Sequence, residues 1–204
     1  YRSDEFDIDG WIVKPADFDP TRKYPLILQI HGGPAVMWGA ATQSMWIELQ
    51  AMAAAGYVIF LCNPRGSGGY GERFQGANRG DWGDGPARDV LRGVDLVVGL
   101  GYVDPQRLCI TGGSYGGYLT TVLLGREHPF KALLAHAAVY NLYSQYAADF
   151  SSETPRFGGF WERDNRATLE RNSPHLAAAA FKTPTLVVHG QSDLRVPVNH
   201  GLEL

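Results

Sequence analysis

The sequence predicts an α/β fold with a mostly parallel sheet flanked by helices. Short apolar runs alternate along the chain with longer stretches of helical period, which is typical of parallel α/β sheets. Several of these runs, such as YVIFLC at 57–62 and TLVVH at 185–189, are continuously apolar, as in strands covered on both faces. Glycines cluster directly after three of the runs, where the functional loops of such sheets lie.

The pattern predicts strands and helices in alternating order. The predicted strands are 6–13, 24–31, 57–62, 107–111, 132–136 and 185–189. Apolar residues at helical spacing predict helices over 46–55, 87–100 and 117–126. The segment 140–174 is rich in Tyr, Phe, Ser and Asn and breaks the alternation. We expect part of a substrate-binding wall there, because irregular excursions at strand ends build the sites of α/β sheets.

Composition excludes several classes of protein. With 45% hydrophobic and 19% charged residues in 204, the chain is long and apolar enough to form one globular domain. A net charge of −3 without a basic block argues against nucleic-acid binding, and no apolar run approaches the ~20 residues of a membrane span. Cys62 and Cys109 lie in apolar runs, which favours a reducing, cytoplasmic location. No His, Cys and Asp cluster has metal-ligand spacing, so neither a metal nor an organic cofactor is expected.

The run RLCITGGSYGGYLTTVLL places a G-x-S-x-G motif between a strand and a helix. This context is typical of a nucleophile elbow, a turn so sharp that the serine adopts a strained backbone conformation. Ser114 is therefore the candidate nucleophile, and Gly112 and Gly116 leave room for strand and helix to approach. The backbone N–H of Tyr115 is a candidate oxyanion donor, because the helix dipole favours negative charge there. The competing interpretation is a glycine-rich turn with a solvated serine.

A second oxyanion donor is expected where the strand 24–31 runs into His31, Gly32, Gly33 and Pro34. Two consecutive glycines allow the backbone to come close to a developing alkoxide. His31 itself precedes the serine, whereas hydrolases with this elbow carry serine, acid and histidine in that chain order. We therefore interpret His31 as a structural, hydrogen-bonded residue and not as the general base.

The candidate acid is Asp193, in the short loop after the strand 185–189. A carboxylate at this position can orient an imidazole and stabilise its charged form; the alternative is a simple turn residue. Asp89 and Asp95 lie in a helical stretch and are interpreted as caps or surface charges. His200 follows Asp193 by seven residues, too few for a crossover of about 10–12 residues. We expect it to be a helix residue, in a sheet that lacks its last strand and histidine loop.

Two alternatives to a serine hydrolase are open. Gly66, Gly68 and Gly71 match the G-x-G-x-x-G of a dinucleotide-binding turn, but the glycines that follow oppose the helix that such a turn must open. We expect this loop to pack beside the oxyanion strand instead. The other alternative is a non-catalytic hydrolase-fold binding module or an inactive fragment. A histidine on the next strand of the complete polypeptide would argue against it.

Four motifs resemble the prolyl oligopeptidase family of serine peptidases. They are HGGP at the oxyanion strand, NPRGSGGYG after the following strand, GGSYGGY around the serine and HGQSDLRVP at the acid. The chain is most similar to acylaminoacyl-peptidase-like and dipeptidyl-peptidase-like members, over nearly all of its length. The resemblance implies an α/β-hydrolase catalytic domain with Ser114 as nucleophile and Asp193 as acid. It also implies that the N–H groups of Gly33 and Tyr115 bind the oxyanion.

The resemblance further implies an apolar substrate pocket near Tyr115, Val139, Leu142 and Val196. Family members carry a β-propeller before this domain and the catalytic histidine after it, and residues 1–204 contain neither. The chain is thus expected to be a truncated C-terminal catalytic domain that hydrolyses short peptides by acyl transfer. The expected partners are a peptide and the remainder of the same polypeptide, without nucleic acid or membrane, and assembly into a homo-oligomer is left open.

Overall fold

The computed structural model describes residues 1–39, 45–146, 148–149 and 157–204. The strands in these ranges are β1 (Arg2–Ser3), β2 (Phe6–Asp7), β3 (Gly10–Val13), β4 (Tyr24–Ile30), β5 (Val58–Cys62), β6 (Val103–Gly113), β7 (Ala132–His136) and β8 (Thr185–Val188). The helices are α1 (Trp46–Ala54), α2 (Glu72–Gln75), α3 (Asp84–Gly99), α4 (Tyr115–Leu124), α5 (Leu142–Gln145), α6 (Arg163–Arg171) and α7 (Asn199–Glu203). Two 3-10 turns span Gly76–Asn78 and Pro174–Ala180.

A six-stranded sheet has the order β3-β5-β4-β6-β7-β8. Strand β3 is antiparallel to β5, and the four remaining pairs are parallel. Strands β1 and β2 form a separate antiparallel hairpin. The mostly parallel sheet confirms the fold class that the alternating pattern predicts.

The core lies between the sheet and its helices. Every residue of β5 and of α4 is buried, in agreement with their continuous apolar runs. Helix α3 instead buries one face, through Val90, Val94 and Val97, while Leu96 on another face is exposed, as expected of an amphipathic surface helix.

The register places the carboxyl ends of four parallel strands in one row. Ile30 of β4 pairs with Gly112 of β6. Gly113 pairs with His136 of β7, which in turn pairs with Val188 of β8. The residues that follow these strands therefore meet along one edge of the sheet, where α/β proteins place their sites.

Several predicted boundaries differ from the structure. The predicted strand 6–13 is divided into β2 and β3, because Ile8 and Asp9 bond outside the sheet, to Tyr1 and Asn63. Helix α3 begins three residues earlier than predicted and takes Pro86 into its first turn, a position that needs no intrahelical donor. In the predicted wall 140–174 the structure contains α5 and α6, and residues 147 and 150–156 lie outside the described ranges.

The interpretation of Asp89 as a cap or surface charge is wrong, whereas Asp95 is exposed as expected. Asp89 is fully buried on α3, and its carboxylate accepts bonds from the Arg65 side chain at 2.6 and 2.9 Å. The Arg65 backbone N–H and the Ser3 hydroxyl donate to the same carboxylate at 2.8 and 2.6 Å. This buried pair ties the loop after β5 to α3 and to the β1–β2 hairpin.

Candidate active site

Ser114 lies on the tight turn between β6 and α4. Its backbone has φ 57° and ψ −115°, a region that non-glycine residues rarely adopt. The turn is held from both sides, because the Ser114 N–H donates to His136 O at 3.0 Å and its carbonyl accepts from Tyr118 N at 2.9 Å. The structure therefore contains the strained serine turn that the G-x-S-x-G motif predicts.

The glycines around Ser114 are required by close backbone packing. A Cβ on Gly112 would lie 2.5 Å from the carbonyl carbon of Gly116, and one on Gly116 would overlap the carbonyl oxygen of Ile30. A Cβ on Gly117 would lie 2.8 Å from Ala138 Cα. These contacts involve backbone atoms, which cannot move aside as a flexible side chain can. They bring the start of α4 directly against β4 and the loop after β7.

The predicted oxyanion residues lie next to the serine. A Cβ on Gly32 would be 3.5 Å from Ser114 Cβ, so the chain leaving β4 passes beside the elbow. Gly33 has φ +114° and is exposed, a conformation that favours glycine. Tyr115 is the first residue of α4 and directly follows Ser114. Donation by Gly33 and Tyr115 to an oxyanion stays a prediction.

The Tyr115 side chain points away from solvent. Its ring is buried, its hydroxyl donates to Trp82 O at 2.8 Å, and it packs against the Trp82 ring at a centroid distance of 5.0 Å. The side chain thus anchors the start of α4 in the core, so the predicted oxyanion donor of Tyr115 is its backbone N–H and not its hydroxyl.

His31 is buried at the end of β4. Its Nε2 lies 2.9 Å from Ser67 Oγ and its Nδ1 lies 2.7 Å from Gly32 O. Burial lowers the pKa of the imidazole, partly offset by the contact with the Gly32 carbonyl. Both ring nitrogens are therefore occupied within the fold, which agrees with the interpretation of His31 as a structural residue.

Asp193 lies in the loop after β8, and only one of its carboxylate oxygens is fixed by the loop. Oδ1 accepts the backbone N–H groups of Arg195 and Val196, each at 2.9 Å. Oδ2 lies 4.0 Å from His189 Nε2, which is longer than a hydrogen bond. The side chain is 25% exposed, so the carboxylate is partly open to solvent.

His189 is a site residue that the sequence analysis missed. It directly follows β8, its side chain is 5% exposed, and its Nε2 donates to Val196 O at 2.7 Å. That bond closes the acid loop, which we define as residues 190–196, against the end of its own strand. The sequence does place a histidine at the end of the predicted strand 185–189. Its contact with Val196 could not be predicted, however, because it depends on how the acid loop folds back over the strand.

The predicted pocket residues lie together in the main core cluster. Val139, Leu142 and Val196 are 4%, 0% and 2% exposed, and the same cluster contains Tyr115 and Phe157. They come from the loop after β7, from α5 and from the acid loop, so the fold brings together residues far apart in the chain. Their contact with a substrate stays a prediction.

The glycine-rich loop after β5 packs as expected beside the oxyanion strand. A Cβ on Gly68 would lie 2.6 Å from Ala35 O, and the Gly68 N–H donates to Val36 O at 3.2 Å. The helix that follows, α2, has four residues. Since a dinucleotide turn needs space and a helix N-terminus for the phosphates, this close packing disfavours that alternative.

Two further observations concern ligands and membranes. Among the described residues, no group of three or more His, Cys, Asp or Glu side chains is placed to bind a metal ion. None of the helices in the described ranges is long and apolar enough to cross a membrane.

A mostly parallel sheet with a strained serine turn at its carboxyl edge and an acid in the loop after a later strand defines the class of nucleophile-elbow hydrolase folds. Comparison with known proteins agrees with this class. Residues 43–204 match the sequence model of the prolyl oligopeptidase family. The chain therefore belongs to the prolyl oligopeptidase family, as its motifs predict.

Individual relatives give the same result. Uncharacterized peptidase YuxL of Bacillus subtilis is 38% identical over 203 residues, covering 97% of this chain and 30% of that protein. Dipeptidyl-peptidase 5 of Schizosaccharomyces pombe is 36% identical over 203 residues, covering 96% of this chain and 29% of that protein. The chain thus spans about 30% of the length of these curated relatives.

A solved structure extends the comparison to the fold. Pyrococcus horikoshii acylaminoacyl peptidase in an orthorhombic crystal form matches with a TM-score of 0.88 and 33% identity, covering 99% of this chain and 33% of that chain. The chain has the α/β-hydrolase fold of these peptidases.

Proposed function

We propose that the protein is a serine peptidase that hydrolyses short peptides by acyl transfer at Ser114. The observation that carries this proposal is the backbone of Ser114 itself, at φ 57° on the turn between β6 and α4. Strained backbone of this kind clusters at functional sites, and here it coincides with a G-x-S-x-G motif at the carboxyl edge of the sheet. The names of the relatives, a dipeptidyl-peptidase and an acylaminoacyl peptidase, support a peptide as the substrate.

In the proposed mechanism Ser114 Oγ attacks the peptide carbonyl and a histidine takes its proton. Neither His31 nor His200 is this base, because both rings are buried and bonded within the fold. Because the family resemblance places the catalytic histidine after this domain, we assign the role to a histidine outside residues 1–204. Asp193 Oδ2 accepts the N–H of that histidine, and Oδ1 stays bonded to the loop backbone.

The negative charge of the tetrahedral intermediate is placed at the N–H groups of Gly33 and Tyr115. The histidine then protonates the leaving amine, and water hydrolyses the acyl-enzyme by the same route. One donor of this kind stabilises the transition state by about 3–4 kcal/mol. The close approach of Gly32 to Ser114 is therefore important, because it brings the neighbouring Gly33 to the side of the serine.

The test is Ser114→Ala in the full-length protein. We expect kcat on a chromogenic peptide to fall by at least about 10³-fold, because the nucleophile is removed. A fluorescent phosphonate that reacts with activated serines should label the wild type and not the variant. The matched control is Ser173→Ala, a buried serine directly before the 3-10 turn Pro174–Ala180, which should keep both activity and labelling. Retained turnover in Ser114→Ala would leave a binding module as the better interpretation.

A further inference from the structure

We propose that His200 is a positioning residue, whose neutral imidazole fixes the acid loop to the wall of the site. The wall segment is defined here as residues 139–145, which contain two of the predicted pocket residues. The inference rests on the proposed function, because it assigns to His200 the alignment of Asp193 with that wall.

The imidazole of His200 accepts two backbone hydrogen bonds at one nitrogen. Nδ1 lies 3.0 Å from the N–H nitrogen of Tyr140 and 3.1 Å from that of Asn141. The residue is 0% exposed, so water cannot replace these bonds. Two neighbouring amides of the wall segment thus depend on one side chain of α7.

These contacts fix the protonation state of the ring. A nitrogen that accepts two N–H groups carries no proton, so Nε2 carries it in the neutral ring. Burial lowers the pKa of His200 to about 4, against an opposing effect of Glu203 and Asp193 and with a further lowering by His189 and His175. The neutral form therefore dominates at neutral pH, and a protonated ring could not accept these bonds.

The same helix packs against the residues on either side of the acid loop. The His200 N–H donates to Pro197 O at 3.0 Å, one residue beyond the loop. A Cβ on Gly201 would lie 2.8 Å from His189 Nδ1, so α7 packs against the ring that closes the acid loop. Helix α7 therefore lies between the amides of Tyr140 and Asn141 and the two residues that flank the acid loop, His189 and Pro197.

Independent bonds join the two segments further along. The Gln145 side chain donates to Arg195 O at 2.8 Å, and Gln145 is 4% exposed. Beyond the end of the wall segment, the Asp149 N–H donates to Leu194 O at 3.1 Å. With His200 they make the wall segment and the acid loop one unit, in which the carboxylate and the apolar wall keep a fixed relative position.

The experiment compares His200→Asn with His200→Leu in the full-length protein. The Asn side-chain oxygen occupies about the position of His Nδ1 and can accept the two N–H groups, whereas Leu fills the space and leaves both amides unbonded. We expect kcat/KM of the His200→Leu variant to fall at least tenfold, mainly through a lower kcat. The kcat/KM of the His200→Asn variant should stay within threefold of wild type. His128→Leu, distant from the acid loop, is the control and should keep full activity. Equal effects of Asn and Leu, or no effect of either, would overturn the proposal.

A second measurement keeps the proposal testable if the Leu variant does not fold. Nitrogen NMR of full-length protein with ¹⁵N-labelled histidine should show His200 neutral at pH 6, with the proton on Nε2, and this signal should disappear in His200→Asn. A proton on Nδ1 would contradict the two accepted bonds and overturn the proposal. Labelling with the phosphonate probe separates this proposal from the proposed function. Wild-type protein that is neither labelled nor active would refute Ser114 as the nucleophile. The NMR measurement of the His200 tautomer would still test the hydrogen bonds proposed here.

Discussion

The conformation of Ser114 depends on the glycines around it. Its positive φ persists because the start of α4 presses against β4 and the loop after β7, and only glycine fits at these contacts. The strain is therefore stored in a local backbone arrangement and is offset by the burial of all of α4.

The first prediction is the effect of Gly116→Ala on stability and on the serine turn. Because the added methyl meets the Ile30 carbonyl oxygen, we expect a loss of about 3 kcal/mol or more, together with loss of phosphonate labelling. Gly99→Ala on α3 is the same chemical change at a position with nothing within 4 Å, and should be neutral or stabilise by up to about 1 kcal/mol. Thermal unfolding compares the two variants. Equal stabilities would contradict the packing argument.

The second prediction concerns the acid. Asp193→Asn keeps an oxygen for the N–H groups of Arg195 and Val196 but removes the charge that orients the imidazole. We expect kcat to fall by about 10⁴-fold, as in other serine peptidases with this change, while the melting temperature changes little. Asp95→Asn on the exposed face of α3 should leave kcat unchanged. Turnover within tenfold of wild type for Asp193→Asn would show that Asp193 is only a turn residue.

At the scale of elements, the Arg65–Asp89 pair joins parts of the chain that lie 24 residues apart. Side-chain exposure is 6% for Arg65 and 0% for Asp89, so the two charges depend on each other for neutralisation. The neighbouring Asp4 also bonds Arg65 at 2.7 Å, and Arg65 and Arg88 lower the pKa of its carboxyl. The loop after β5 therefore has a fixed position beside the oxyanion strand.

This pair gives the third prediction. Asp89→Asn leaves the buried guanidinium without its main counter-charge, and should cost about 3–5 kcal/mol. The matched change Asp7→Asn removes an exposed partner of Arg2 at 3.4 Å and should cost at most about 1 kcal/mol. Thermal unfolding of the full-length variants measures both. A small loss in Asp89→Asn would mean that Arg65 finds another partner.

The elements also show which parts of the structure could be predicted from the sequence. The sheet, the elbow and the oxyanion strand follow from local signals, namely apolar period and glycines at strand ends. The burial of Asp89 and the acceptor role of His200 could not be predicted, because their partners, Arg65 and Tyr140, lie 24 and 60 residues away along the chain. A charged residue in a helical pattern looks the same whether its partner is water or a buried arginine.

For the whole molecule, the register of β4, β6, β7 and β8 turns separate motifs into one site. The carboxyl ends of these strands meet, and the residues after them include the predicted oxyanion turn, Ser114, the wall segment and Asp193. Three of the four family motifs follow β4, β6 and β8, and the fourth follows β5, which pairs with β4. Motifs that are ordered along the chain are therefore neighbours in space, which explains why the resemblance also predicts the location of the candidate site.

The stability of the whole fold should depend on pH through its buried histidines. Burial places the pKa of His200 at about 4, below the ordinary 6.5, and lowers the pKa of His31 in the same direction. The unfolded chain therefore binds more protons between these values, so the free energy of unfolding decreases as the pH falls from about 6.5 to 4. The contribution of His200 is complete above pH 6.5 and amounts to about 3 kcal/mol.

The variant His200→Asn isolates this contribution, because it removes the titrating group and keeps an acceptor for Tyr140 and Asn141. Unfolding of wild type and variant is measured by thermal melts at closely spaced pH values from 4 to 7.5. We expect the wild type to lose stability more steeply than the variant across the window, and the difference between them to be constant above pH 6.5. Parallel curves would show that His200 titrates alike in the folded and unfolded chain, which a fully buried ring with two bonds to Nδ1 does not allow.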